Sequence, residues 1–224
     1  MARRKRIINQ TNNDSEQDEH NEFYRASVIR KDTVLDIQVF GEIPHQDDPD
    51  VIELIDLIET TEADRLVITV MSYGGSMYSS LAIYSALQSR KEDMEIITIA
   101  NGMVASGAYY IYMAGTKRYV YPFAMMLIHD ASMDTGFRSI ANIGEVTKGI
   151  EKLSDKIMEE TVTDYVSEHE KNAIKAGRDL YISADEAVER GISHEIISPS
   201  NAQEELEQLV EQCKEEEEGD NEDE

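Results

Sequence analysis

The sequence predicts an α/β fold in which parallel strands are joined by crossover helices. Three observations predict it. Short β-branched or apolar runs recur at Leu66–Met71, Ile96–Ala100 and Met125–Ile128, each of the length of a buried strand. Stretches with apolar residues at helical spacing separate several of these runs. Two of the runs pass directly into small-residue turns, Tyr73-Gly74-Gly75 and Asn101-Gly102.

The elements follow in order. Thr33–Phe40 alternates apolar with polar residues and then meets Gly41, which reads as a strand ending in a turn. Asp50–Ile58 places Val51, Leu54, Ile55 and Ile58 at helical spacing. Leu66–Met71 feeds Ser72-Tyr73-Gly74-Gly75-Ser76, and a helix follows through Leu81, Ile83, Tyr84 and Leu87. Ile96–Ala100 is the next buried strand, followed by small residues as far as Ala108. Met125–Ile128 is a further strand. The longest helix is expected from about Ile143 to Ser167, with a narrow stripe at Ile143, Val146, Ile150, Leu153 and Ile157, then Val162 and Val166. Such a stripe suits packing on another helix, in a second subunit or in the same domain. Ser183-Ala184-Asp185-Glu186 has the form of a capping box and starts a short helix that Gly191 would end.

The chain has 224 residues, enough for one domain with tails, and a formal net charge of -25. That balance argues against binding nucleic acid or an anionic membrane, since both need a basic face. Residues 201–224 carry twelve acids against one lysine, and residues 1–22 carry four bases against five acids. The expected division is an N-terminal arm (1–22) and an acidic C-terminal tail (201–224), both disordered, around a folded unit at 23–200. No stretch reaches the ~18 apolar residues of a membrane-spanning helix. The basic start Arg3-Arg4-Lys5-Arg6 is followed only by Ile7-Ile8, so no export signal is read and a cytoplasmic location is expected. The single cysteine, Cys213, excludes an internal disulfide and a cysteine-based metal site, and its acidic surroundings disfavour the thiolate.

Three features bear on chemistry. His129 ends the apolar strand Met125–Ile128, where α/β proteins often build sites, although a structural histidine is the commoner outcome. Ser106 stands among small residues after a buried strand. It either projects from a strand-to-helix turn, with Gly107 free to take strained angles, or caps a tightly packed helix. Gly74-Gly75 forms a turn whose N–H groups suit an anion or a developing oxyanion. It lacks the Gly-Lys-Ser/Thr ending of a phosphate loop and the spacing of a dinucleotide fingerprint, so nucleotide binding is unsupported.

The order of these features is more specific than any one of them. Tyr73-Gly74-Gly75, Gly102–Ala108 with Ser106, Leu127-Ile128-His129 and Arg178–Ala187 form a series that resembles the proteolytic subunit of the Clp protease (ClpP), over about residues 33–197. The resemblance implies a crotonase-type core, with Ser106 as nucleophile, His129 as base and Asp179 as the residue that orients it. The N–H groups of Gly75 and Gly107 would form the oxyanion hole. Arg178 would favour the ionised form of Asp179 and contact a second ring. The resemblance implies no metal and no organic cofactor. It implies homo-oligomeric rings of seven, stacked in pairs, a protruding handle helix at 143–167, polypeptide substrates and a separate AAA+ unfoldase.

The chain departs from the family pattern in places. Met71-Ser72-Tyr73 stands where the family has Asn-Ser-Pro, and Gly107-Ala108-Tyr109-Tyr110 where it has Met-Gly-Ala. The latter stretch is similar to signal-peptide peptidases, which use a Ser-Lys dyad. Val67 and Thr69 replace tyrosines that line the ATPase-docking groove, and Gly177 replaces an acid beside the arginine. Such drift suits a divergent, phage-encoded copy. The rival readings are a signal-peptide-peptidase-like or phage head-maturation Ser-Lys peptidase, a crotonase-like thioester enzyme and an inactive ring scaffold.

Overall fold

The β-branched runs become the centre of one eight-stranded sheet. A computed structural model describes residues 23–29, 34–132 and 140–198 of the chain. The expected arm and tail, the basic start and Cys213 lie outside the described residues. The strands are β1 (Tyr24–Ile29), β2 (Val34–Ile43), β3 (Arg65–Gly75), β4 (Glu95–Ala105), β5 (Lys117–Val120), β6 (Met125–Ile128), β7 (Leu180–Ser183) and β8 (Glu195–Ile196). The helices are α1 (Pro49–Thr60), α2 (Met77–Arg90), α3 (Gly107–Met113), α4 (Ile140–Thr161), α5 (Glu168–Lys175) and α6 (Ala184–Glu189). The sheet order is β1-β2-β3-β4-β5-β8, with β6 paired to β4 and β7 paired to β6. β2, β3 and β4 are parallel because α1 and α2 carry the chain back between them. β1 and β7 are antiparallel to their neighbours.

Alternation along β3 assigns its two faces. Leu66, Ile68 and Val70 point into the main core, with Leu54, Ile58, Ile83, Leu87, Tyr109 and Tyr112 from the helices. Val67 points the other way, into a smaller cluster with Ile97, Ile99, Tyr119 and Ile197. Burial of this apolar surface is the dominant favourable contribution to the fold.

Three strands and one helix end elsewhere than the sequence pattern indicates. β2 does not stop at Gly41. The glycine takes a positive φ of 69°, and the strand resumes to Ile43. β3 and β4 outrun their apolar runs and reach Gly75 and Ala105, because neighbouring strands still offer backbone partners. The long helix ends at Thr161 rather than Ser167. There the N–H groups of Val162 and Thr163 both converge on the Met158 carbonyl, and Val162 is fully buried. Ser167 and Glu170 then form a reciprocal capping box that starts α5, a second Ser-x-x-Glu signal that the helical spacing overrode.

The apolar stripe of α4 divides between two roles. Ile157 and Met158 are buried in the chain's own core. Ile143, Val146, Ile150 and Leu153 are only half-buried. The expected box at Ser183 and Glu186 is present and starts α6, and Gly191 follows that helix with φ 76°.

β4 changes partners along its length. Ile97–Ala100 pair with β5, whereas Met103–Ala105 pair with β6. Gly102, at φ 64°, stands between the two segments. This branch brings the C-terminal end of β4 beside β6 and, through β6, close to β7.

Candidate active site

Ser106 occupies a strained turn between β4 and α3. Its φ of 54° and ψ of -127° make it the one non-glycine residue at positive φ among the described residues. Such a conformation costs about 1–3 kcal/mol and persists only where its surroundings enforce it. The Ser106 N–H donates to the Leu127 carbonyl at 3.0 Å, which ties the turn to β6. Ser106 is the N-cap of α3, yet its side chain makes no capping hydrogen bond. The hydroxyl is thus presented rather than consumed. The strain falls on the serine itself and not on Gly107, where the sequence would place it. Gly107 is needed for space instead, because a β-carbon there would collide with Ser80 of α2.

The two glycines at the end of β3 have different surroundings. A β-carbon on Gly74 would lie 2.6 Å from the Ala105 carbonyl oxygen, 2.7 Å from Ser106 Cβ and 2.9 Å from the Gly107 nitrogen. Gly74 therefore packs face to face with the serine turn. A β-carbon on Gly75 would collide with the backbone of Ile43 in β2. The Gly74 N–H donates to Ser72 Oγ at 3.0 Å, so it is not available to a substrate. The Ile43 carbonyl accepts from the Ser76 N–H at 2.9 Å. Gly107 opens α3, and first-turn amides have no acceptor within their own helix.

The register of β6 against β7 places the remaining two residues. Met125 faces Ser183, Met126 faces Ile182, Leu127 faces Tyr181 and Ile128 faces Leu180. His129 follows Ile128 and Asp179 precedes Leu180, so the two residues stand just past the end of that ladder. β6 in turn runs parallel to β4, with Ala105 beside Leu127, so Ser106 and His129 leave adjacent strands at the same end.

The structure brings Ser106, His129 and Asp179 to one end of the sheet without joining them. Among the described residues no hydrogen bond links the three side chains. His129 Nδ1 lies 2.6 Å from the Asp130 carbonyl oxygen, which suits an Nδ1–H tautomer with a free lone pair on Nε2. Asp130 Oδ1 accepts from the Ala131 N–H at 2.9 Å. Asp179 and Arg178 are both exposed, and no ion pair joins them. The Arg178 N–H donates to the Ala173 carbonyl at 3.0 Å. Behind the serine turn, burial pushes the Tyr110 phenol up to about 12, with the Asp130 charge a smaller contribution in the same direction. Among the described residues, no group of three or more His, Cys, Asp or Glu side chains is placed to hold a metal ion. No helix among them is long and apolar enough to cross a membrane.

Sequence reasoning treated Ser72 only as part of the glycine turn. Its side chain is 1% exposed and its hydroxyl donates to the Gly41 carbonyl at 2.5 Å. A signal existed, because Leu66, Ile68 and Val70 mark the core-facing positions of β3 and two further residues lead to Ser72. A hydroxyl on an apolar face needs a partner.

Residues 18–200 match the Clp protease family. The chain is 31% identical over 151 residues to the ATP-dependent Clp protease proteolytic subunit 2 of Corynebacterium jeikeium, covering 66% of this chain and 71% of that one. It is also 31% identical over 152 residues to proteolytic subunit 1 of Bifidobacterium longum, covering 66% and 64% respectively. Among solved structures, a ClpP1 mutant from Listeria monocytogenes superposes with a TM-score of 0.58 at 25% identity, over 72% of this chain and 90% of that one.

Proposed function

The chain belongs to the Clp protease family and is a serine-type endopeptidase; from that premise we propose that it cleaves unfolded polypeptides through Ser106, His129 and Asp179. The observation that carries the reading is the convergence of β4, β6 and β7. A strained serine with an uncommitted hydroxyl, a strand-end histidine and the aspartate just before β7 lie toward the same end of the sheet.

The chemistry is acyl transfer. His129 Nε2 accepts the Ser106 proton as Oγ attacks the scissile carbonyl, and returns it to the leaving amine. Water then enters by the same route and hydrolyses the ester on Ser106. The N–H groups of Gly75 and Gly107 hold the oxyanion of each tetrahedral intermediate, a contribution of about 3 kcal/mol for one donor in comparable sites. Asp179 stabilises the imidazolium. For this the His129 ring exchanges the Asp130 carbonyl for the Asp179 carboxylate, an adjustment that substrate binding or assembly would drive.

Assembly extends the proposal. The half-buried stripe Ile143, Val146, Ile150 and Leu153 on α4 supports helix-to-helix association of subunits into a ring that encloses the site. Folded proteins would be excluded, and a AAA+ ATPase would supply unfolded chains. Arg178, exposed beside Asp179, is the candidate for contact between rings.

The test is labelling of the purified full chain with a fluorophosphonate, with the adduct located by mass spectrometry. Adduct on Ser106 is expected, lost in Ser106→Ala and His129→Ala. Asp179→Asn should lower turnover of a short fluorogenic peptide by roughly 100- to 10,000-fold, through loss of the correct imidazole tautomer. Adduct that persists in His129→Ala would replace this reading with a Ser-Lys peptidase. No adduct on the assembled wild type would refute an intrinsic peptidase.

A further inference from the structure

We propose that Ser72 is a positioning residue for the oxyanion hole, acting through a hydroxyl that bridges β2 to the glycine turn. The inference rests on the reading of Gly75 and Gly107 as oxyanion donors. β3 pairs with β2 as Gly41 with Ser72 and then Glu42 with Gly74, so Tyr73 is an extra residue on β3. On the other side, β3 pairs with β4 as Val70 with Ala100 and then Ser72 with Val104. Both registers shift around Ser72, which stays paired on both flanks. A bulge costs regular backbone pairing at the point where β3 must present its glycines.

Ser72 supplies what the bulge removes. Its hydroxyl donates to the Gly41 carbonyl at 2.5 Å and accepts the Gly74 N–H at 3.0 Å. The side chain is 1% exposed, so water does not compete for either bond. Tyr73, by contrast, is 75% exposed and adds little packing to hold the turn. Two consequences follow for the site. The Gly74 amide is occupied, which leaves the next amide, that of Gly75, as the donor from this turn. Gly74 is also held against Ser106 and the Gly107 nitrogen, so the two oxyanion donors keep a fixed separation. Preorganised donors of this kind act on the transition state more than on bound substrate.

The experiment compares wild type, Ser72→Ala and Ser72→Thr as full chains. It measures kcat and KM on a short fluorogenic peptide, inhibition by a peptide boronate and the rate of fluorophosphonate labelling at Ser106. Ser72→Ala should lower kcat and labelling rate together by ~10- to 100-fold and weaken the boronate in proportion. KM should stay within about twofold, since ground-state binding does not use the hole. Ser72→Thr keeps the hydroxyl and should recover at least part of the rate. An active wild type with kcat of Ser72→Ala within about twofold overturns the inference alone, as does a loss confined to KM. Failure of both variants to fold would also overturn it, by making Ser72 a residue of the fold. A wild type that neither cleaves nor labels overturns the oxyanion reading and this inference with it.

Discussion

Replacing Gly74 by alanine tests the proposed link between the glycine turn and the serine turn. The added carbon would stand 2.6 Å from the Ala105 oxygen, 2.7 Å from Ser106 Cβ and 2.9 Å from the Gly107 nitrogen, with Gly74 at φ 90°. All three neighbours belong to the serine turn and its flanks, and two are backbone atoms. Relief requires that turn or the glycine turn to retreat by roughly 0.5–1 Å, a displacement of the size that costs ~100-fold in rate. The positive φ adds roughly 1–2 kcal/mol of backbone strain, and overpacking roughly 1–3 kcal/mol. A domain of this size loses about 2–4 °C of melting temperature per kcal/mol, so a fall of about 5–15 °C is expected. Gly191→Ala is the control. Its φ is also positive, at 76°, but the nearest atom to the added carbon is Tyr165 Cε1 at 4.0 Å. It should lose only the strain contribution and keep full peptide turnover. Calorimetry and kcat on a fluorogenic peptide measure both effects. If Gly74→Ala keeps kcat within about twofold of wild type, or melts no lower than Gly191→Ala, the close approach does not couple the two turns.

Two further outcomes concern the scaffold. Tyr112 and Ser193 share a buried hydroxyl–hydroxyl bond of 2.6 Å that ties α3 to the segment after α6. Tyr112→Phe leaves the Ser193 hydroxyl unpaired and should cost about 1–3 kcal/mol in denaturant unfolding. Adding Ser193→Ala should restore part of that loss, and a double variant less stable than the single would contradict the account. Glu170 caps α5 and pairs with Arg190 at 2.9 Å, and the Arg190 bond, followed by those from Ser167, lowers its pKa from the ordinary 4.5 to about 2. Because the folded value is the lower one, the stability it contributes is present above pH 4.5 and lost as pH falls toward about 2. Thermal melts across that window should decline more steeply for wild type than for Glu170→Gln, and parallel curves would rule the contribution out.

Strand and helix identity was legible because it is local. The runs Leu66–Met71, Ile96–Ala100 and Met125–Ile128, and the spacing of Val51, Leu54 and Ile58, state their periods without reference to the rest of the chain. The capping box at Ser183 and Glu186 is local in the same sense. Ser106 and His129 stood out by type and position, and their order along the chain pointed to one family.

What escaped the sequence depends on neighbours far along the chain. The extension of β2 beyond Gly41 depends on pairing with β3. The end of the long helix at Thr161 depends on burial of Val162 and on a competing cap at Ser167. The burial of Ser72 and its bond to Gly41 span 31 residues.

The sequence by itself thus determined the α/β class and the central strands and helices, since each rests on residue type and short-range period, while the candidate nucleophile and base came from the family resemblance. Only the tertiary structure decided that the strain sits on Ser106, that Gly74 abuts the serine turn and that the β6–β7 pairing ends beside His129 and Asp179. The physical reason is that backbone angles at a turn and the register between distant strands are set by the packing of both sides at once, and neither side alone specifies them.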